Sequence, residues 1–471
     1  MRGSRHLLAL VAALALAAGC ASTSVRGDLD LLRSRVRTPL PERAVLEEVS
    51  PESAPDVARA LAAPLTADGA VRLAMANNRA MRATLRELGV PRGALVQAGL
   101  LPNPAVEFDL RYQEDRTQPL QADVAVEFAL TRALLAPARA SAARAELEAA
   151  RVRAAGAAVE LGFTVRAAFF AVQAAEERLR IGQRALDASA AGRDAARSLR
   201  EAGNVRALDV AQQEAAYEAA RVTVAELELE RLDRRERLTR LLGLSGEETA
   251  WTVRGALTAM PPEAEGGEVT EARALRASLE LEALRARMEV NARRIGLSRA
   301  EGWAPDITVD VHGEQDGNSL EIGGGARVAL PVFDRRQGQR AALEAEFDGM
   351  MERYHGLAID VRSALRALRN RVRSAHARAA AYDAVILPAR RRVMDEVILQ
   401  YNAMNAGVFQ VLQARREQLD AELARVEVRR EYWTAAAALD ALTAGWRVDA
   451  ERAFSAPTTM GAPAGATEGG H

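Results

Sequence analysis

A chain that carries the same unit twice is bound to fold as a paired architecture, and this one overlays on itself when it is shifted by 201 positions (305 − 104). The shift lays Pro104-Ala-Val-Glu-Phe-Asp109-Leu110 onto Pro305-Asp-Ile-Thr-Val-Asp310-Val311. It also lays Asn204, Val210 and Gln212 onto Asn405, Val411 and Gln413, so two distant segments agree on one offset. Repeat one occupies residues 65–244 and repeat two residues 270–445. Residues 245–269 between them, rich in Gly, Pro and Glu, read as a connector.

Within each repeat the pattern gives a helix, two strands, a very long helix, a tight turn and a returning helix. In the first strand Val106, Phe108, Leu110 and Tyr112 alternate with Glu107, Asp109, Arg111 and Gln113. In the second, Val124, Val126, Phe128 and Leu130 alternate against Asp123 and Glu127. In repeat two Ile307, Val309 and Val311 alternate with Thr308, Asp310 and His312, and Leu320, Ile322, Val328 and Leu330 share a face across Gly323-Gly324-Gly325. Glycines inside a strand predict a bulge or a tight bend. Each segment has roughly the 10 residues a tilted strand needs to cross hydrocarbon. A soluble, half-buried sheet shows the same alternation, and alternation alone does not separate the two.

If the apolar faces meet lipid, strand number decides the rest. An open edge in hydrocarbon leaves N–H and C=O groups unpaired at several kcal/mol each, so the sheet must close. Four strands are fewer than the smallest single-chain barrels, which have about eight. Copies of the chain must therefore pool their strands, and three copies, unlike two, leave room for a water-filled lumen.

The long helices carry seven-residue periods. Val165, Val172, Leu179 and Leu186 recur with Ala168, Ala175, Gly182 and Ser189 three positions on, and large beside small lets backbones approach. The returning helix repeats at Leu208, Ala215, Val222 and Leu229, which reads as the matching half of a coiled-coil hairpin. Repeat two shows Tyr354, Val361, Leu368, Ala375 and Tyr382, with Ala358, Leu365, Val372, Ala379 and Ile386 four positions on, and returns through Leu412, Leu419, Val426 and Trp433. A helix from Pro137 to Ala202 would be roughly 100 Å long. Gly203 suits a left-handed stop and Asn204 a cap for the next helix. Met404 takes the glycine's place in repeat two, which predicts a different closure there.

Acidic and basic residues nearly cancel, 64 against 63, which provides no field for gathering nucleic acid. Apolar residues make up 49% but aromatics only 4%, the palette of close-packed helices. The five histidines lie far apart without metal-ligand spacing, and no phosphate loop or serine elbow occurs. The residues thus imply no metal, no cofactor and no enzyme. Arg2 and Arg5 precede an apolar run from Leu7 to Ala18, an export signal over residues 1–19. Cys20, the only cysteine, follows Ala17-Ala18-Gly19 in a sequence that resembles a bacterial lipoprotein box. With Ala21 next, the resemblance implies lipidation and delivery to the outer membrane, residues 20–64 forming an extended lipid-anchored arm. Residues 446–471 read as a disordered tail.

Leu65-Thr66 with Ala74-Met75-Ala76-Asn77-Asn78, Leu101-Pro102-Asn103-Pro104, Leu330-Pro331-Val332-Phe333-Asp334, and Ala202-Gly203-Asn204 with Asp209 together resemble the TolC-like outer-membrane efflux proteins. The likeness covers both repeats. It departs at Leu134-Leu135-Ala136-Pro137, which lacks the Pro-x-Phe-Asp form found after the fourth strand. The resemblance implies a mainly helical fold with a small β part: a homotrimer whose twelve-stranded barrel continues into a periplasmic helical coiled-coil barrel, with an equatorial belt from the short helices and connector. It implies a passive exit duct and a pump-coupled partner set, in which a periplasmic membrane fusion protein joins the duct to an inner-membrane pump. The turn residues it assigns to docking are Gly203, Asn204, Val205, Leu208 and Asp209, and Asn405, Gly407, Val408 and Phe409. The rival from another class is a periplasmic coiled-coil adaptor without a pore. Adaptors have one hairpin flanked by β-rich domains, not two hairpins interleaved with strand pairs.

Overall fold

A computed structural model describes residues 57–111, 121–253, 256–262, 270–316 and 319–448. The readings placed on Cys20, Tyr112, the export signal, most of the N-terminal arm and residues 449–471 lie outside these. Four short helices, α1 Val57–Leu61, α2 Ala67–Asn77, α3 Arg79–Glu87 and α4 Gly89–Gly99, precede strands β1 Ala105–Arg111 and β2 Gln121–Ala129. Then come α5 Leu130–Leu134, α6 Ala136–Glu201 and α7 Ala207–Leu242. Repeat two runs α8 Glu271–Ala277, α9 Leu279–Trp303, β3 Asp306–Asp316, β4 Ser319–Ala329, α10 Gln337–Ala381, a π-helical turn Tyr382–Ile386, α11 Leu387–Asn402 and α12 Val408–Thr443. The order expected from the duplication is present in both halves.

The chain divides into two compact units, each drawing on both repeats. One contains Thr84–Ala154 and Leu281–Gly356, and with them all four strands. They form one antiparallel sheet in the order β1-β2-β3-β4. Strand two ends at Ala129, so Leu130 opens α5 instead of continuing the alternation, and β4 likewise stops one residue short of Leu330. The two exits differ as their sequences do: α5 leads at once into α6, whereas residues 330–336 stay non-helical, with Asp334 Oδ1 accepting the Arg336 N–H at 2.8 Å. No bulge interrupts β4, where Asp310, Val311 and His312 pair regularly with Gly325, Gly324 and Gly323. The glycines make room: a Cβ on Gly323 would lie 2.5 Å from His312 Nε2, and one on Gly325 2.6 Å from Asp310 Oδ1.

The other unit contains Ala155–Glu280 with residues 57–83 and 357–448. Its core is a layer of long helices. On one side α6 meets α7, where Leu179 packs with Val224 and Leu227. A Cβ on Gly182 would lie 2.6 Å from Leu227 Cδ1, so the small position of the period receives the leucine. On its other side α6 meets α12, with Ala174 and Ile181 against Leu419 and Val426. Arg184 and Glu422 bridge the same pair at 2.7 Å. Next, α12 packs on α11, joined by Arg390–Glu417. The layer order is therefore α7-α6-α12 and then α10/α11. Val361, Leu365, Leu368, Val372, Ala375 and Ala379 are buried as their period implies.

The α7 period needs correction. Val224, Leu227, Leu238 and Leu242 form its buried face, while Leu208, Ala215, Val222 and Leu229 point away from the chain. Val222 and Leu229 are both 60% exposed. A helix with an apolar stripe on each side fits two seams equally well from sequence.

Repeat two's descending helix is also interrupted where repeat one's is continuous for 66 residues. Pro388 has no N–H to donate to Ala384, and the ladder adjusts one turn earlier, with the Leu387 N–H bonding Tyr382 O five residues back. The motif Asn77-Asn78 proves to be a brace. Asn77 Nδ2 donates to the carbonyls of Leu242 (3.0 Å) and Gly243 (2.8 Å), and Asn78 Nδ2 to Leu241 (2.9 Å), satisfying orphan carbonyls at the end of α7.

Candidate functional site

Three surfaces carry the sequence-assigned residues, and each is built by an element described above. The first is the sheet. Residues opposed in register point to the same side, so the pairs Val106↔Val126, Phe108↔Val124, Phe128↔Val309, Val126↔Val311 and Ile307↔Val328 place all of these on one face, with Leu110 and Ile322. No described strand residue is buried, and Phe108 is 71% exposed. A soluble half-buried sheet would cover one face; here the described residues bury neither.

The opposite face is acidic. Among the described residues it holds Glu107, Asp109, Asp123, Glu127, Asp306, Asp310, Glu314 and Glu321 against Arg111, Arg327 and His312. Register concentrates them: Asp109 lies opposite Asp123, Asp123 opposite Glu314, and Glu314 opposite Glu321, one carboxylate per strand in a single row. Arg111 offsets the first two, 3.4 Å from each. Like charges directly opposed destabilise a sheet. The alternation in the sequence separated polar from apolar positions along each strand but did not show this row, because register between strands is set by loop geometry and pairing.

The second surface is the pair of helix turns. Gly203 has φ +76°, its N–H bonds Arg200 O at 2.9 Å, and the Asn204 N–H bonds Leu199 O at 2.8 Å. The second turn was expected to close differently and does not. Met404 has φ +60°, its N–H bonds Tyr401 O at 3.0 Å, and the Asn405 N–H bonds Gln400 O at 2.8 Å. Both are the same left-handed helix stop, the second made with a residue that carries a Cβ penalty. Met404→Gly is expected to slow amide exchange across 399–406 a few-fold, a gain of roughly 0.5–1 kcal/mol, and faster exchange would contradict the strain argument.

Asn204 does not cap the next helix. Asp209 does so from inside it, Oδ2 accepting the Arg206 N–H at 3.0 Å while Oδ1 lies 3.1 Å from the Arg206 guanidinium. Gln410, at the same offset of 201, accepts the Gly407 N–H at 3.1 Å. Self-comparison would have paired Asp209 with Gln410. Val205, Leu208, Val408 and Phe409 stand around the two turns, and the described chain buries none of them. Bonds from the Arg206 guanidinium, then from its N–H, hold the Asp209 carboxyl below its ordinary range. A folded value below the unfolded one gives stabilisation that is present above the unfolded pKa and lost as pH falls through the folded one. Amides of residues 206–210 should therefore lose exchange protection at acid pH, and D209N should remove that dependence.

The third surface is the pair of layer edges. On α7, Leu208, Ala211, Ala215, Val222, Ala225, Leu229 and Leu232 form an exposed stripe at heptad spacing. At the other edge Ile359, Val385, Val393 and Leu399 of α10, the π turn and α11 are exposed.

Residues 70–244 match the family model described as "Outer membrane efflux protein". Over 391 residues the chain is 26% identical to the cobalt-zinc-cadmium resistance protein CzcC of Cupriavidus metallidurans, spanning 81% of this chain and 90% of that one. Among solved structures, the outer membrane protein VceC of Vibrio cholerae superposes with TM-score 0.67 at 16% identity, covering 81% of this chain and 96% of that one. CusC, described in terms of transmembrane channel formation, superposes with TM-score 0.68 at 14% identity, covering 87% and 97%. Duplicated strand pairs, paired helix turns and these likenesses converge: residues 70–244 match the outer membrane efflux protein model, and the chain shares the fold of solved outer-membrane channels.

Proposed function

We propose that three copies of this chain form the outer-membrane exit duct of a tripartite efflux system, a passive channel through which cargo crosses the periplasm and outer membrane. The observation that carries this reading is a four-stranded sheet with one apolar face and one acidic face, with no residue of it buried and both edges open among the described residues. Three copies supply 3 × 4 = 12 strands, enough to close a wet barrel with the apolar faces in lipid. The helix layer supports the same symmetry. Its two exposed stripes lie on different edges, so each copy joins its neighbour through unlike surfaces, the kind of contact from which a closed ring is built when the rotation between copies closes.

Detergent-solubilised oligomer should give ion conductance in planar bilayers, and residues 106, 108, 311 and 322 should label from the lipid phase. A monodisperse, lipid-free monomer in plain buffer would end this reading. Residues 1–19 act as the export signal and Cys20 carries the lipid, two acyl chains being needed for firm anchoring. Energy comes from an inner-membrane pump, joined through a periplasmic membrane fusion protein that docks on the two helix turns. Gly203→Pro and Asp209→Arg are then expected to leave the oligomer intact on native gels while reducing export in whole cells about tenfold or more, a loss of roughly 1.4 kcal/mol in coupling. Normal export by both variants would remove the turns from the docking surface. The acidic face suits cationic cargo, in line with the resistance protein's name, and cobalt, zinc and cadmium are the first candidates.

A further inference from the structure

At one end of the sheet, where β2 and β4 finish and β3 begins, three segments are tied into a corner. Thr131 Oγ1 donates to Pro305 O at 2.7 Å and accepts the Ile307 N–H at 2.8 Å, which pins α5 to the start of β3. A Cβ on Gly302 would lie 2.3 Å from Arg335 O, so the segment after β4 crosses directly over the end of α9. What the corner turns outward is apolar. Trp303 is 68% exposed and Phe333 92%, with Leu134 and Val332 exposed as well.

One cation stands against these rings, and a second, Arg132, is exposed on α5 at the same corner. The Arg335 guanidinium lies 5.4 Å from the centre of the Trp303 ring, and its Nε donates to Pro331 O at 3.3 Å. Its two terminal nitrogens have no partner among the described residues, and neither does the Arg132 guanidinium. In water the arrangement leaves a phenyl and an indole ring exposed and most of the N–H groups of the two guanidinium groups without a protein partner among the described residues. At the boundary of a bilayer both are satisfied: the rings sit at the glycerol level and the guanidinium groups reach phosphate.

We propose that this corner is a docking surface for anionic phospholipid, with Trp303 and Phe333 seated between lipids and Arg132 and Arg335 on their headgroups. It fixes the depth at which the sheet sits in the membrane. The inference rests on the duct reading, because the corner continues the apolar sheet face through Leu330. It adds that the strand ends stop at headgroup level and that anionic lipid is preferred.

The test uses full-length oligomer in vesicles of phosphatidylcholine and phosphatidylglycerol, with brominated phosphatidylcholines labelled near the headgroup or deep in the chain. The difference between the native protein and W303F gives the quenching of Trp303. The shallow label should quench Trp303 about twofold more than the deep one, as an interfacial indole requires. Phe108→Trp in the W303F background should show the reverse order. If Trp303 is untouched by either label while Phe108→Trp responds to the deep one, the corner is not at the membrane; burial by a second copy would give that outcome. If neither position responds, the duct reading and this inference fall together. In the R132Q/R335Q double variant, preference for phosphatidylglycerol among lipids retained on the purified oligomer should drop about fivefold or more, since each surface arginine is worth roughly that factor. An unchanged preference would overturn the headgroup assignment.

Discussion

Val222→Asp with Leu229→Asp is expected to convert the oligomer to monomers in mild detergent, read by light scattering, while helical circular dichroism is unchanged. Both side chains are 60% exposed on the face of α7 opposite its buried residues, so among the described residues the substitutions open no gap in the fold. In a ring each would be buried against the neighbouring copy. Loss of an apolar side chain from such a seam costs about 1.5–3 kcal/mol. Leaving an unpaired carboxylate there costs several kcal/mol more. The effect repeats at every interface, so two substitutions per chain exceed what a ring closed by marginal contacts tolerates. The same change at Val224 and Leu227 should behave oppositely in kind. Those residues hold α7 on α6, and their loss should unfold the hairpin before it affects association. An intact oligomer carrying both exposed-face aspartates would show that the stripe faces solvent and that the ring closes elsewhere.

The second large effect concerns what the duct conducts. Neutralising the carboxylate row with Asp109→Asn, Asp123→Asn, Glu314→Gln and Glu321→Gln is expected to bring cation-over-anion permeability, measured as reversal potential in a salt gradient, close to one. A lumen potential of about one kT enriches cations and depletes anions by about 2.7-fold each, so the native ratio should be about 7 or higher. Removing one charge from every strand also removes the opposed like-charge pairs, which cost roughly 0.2–1 kcal/mol apiece. The variant should thus be less selective and more resistant to thermal dissociation. Reduced stability together with unchanged selectivity would mean that the acidic face is not the one lining the pore.

Much of this was open to reading along the chain. The shift of 201 located both turns and both strand pairs, because a duplicated unit must place equivalent residues in equivalent local structure. It extends even to capping, where Asp209 and Gln410 do the same work with different chemistry. Reading each turn by its own residues was less successful. Methionine at position 404 argued for a different closure, yet the local cost of a left-handed methionine is about 1–2 kcal/mol. The two long helices it joins outweigh that. Asn204 looked like the cap, and Asp209, five residues on, is the group that bonds the helix start. Leu130 continued the strand pattern, but an apolar residue at a strand end satisfies a following helix equally well.

The sequence by itself determined the elements: which segments are strand or helix, which strand face is apolar, and that the chain is a doubled unit too poor in strands to seal itself. These follow from periods of two and seven and from backbone hydrogen-bond accounting, which depend only on neighbours along the chain. Tertiary structure decided which of two apolar stripes on α7 is buried against α6 and which stays exposed. It also lined up Asp109, Asp123, Glu314 and Glu321, and brought Trp303 under Arg335. Those outcomes depend on register and on packing between residues distant in sequence, and a periodic pattern is unchanged by sliding or turning one element against another.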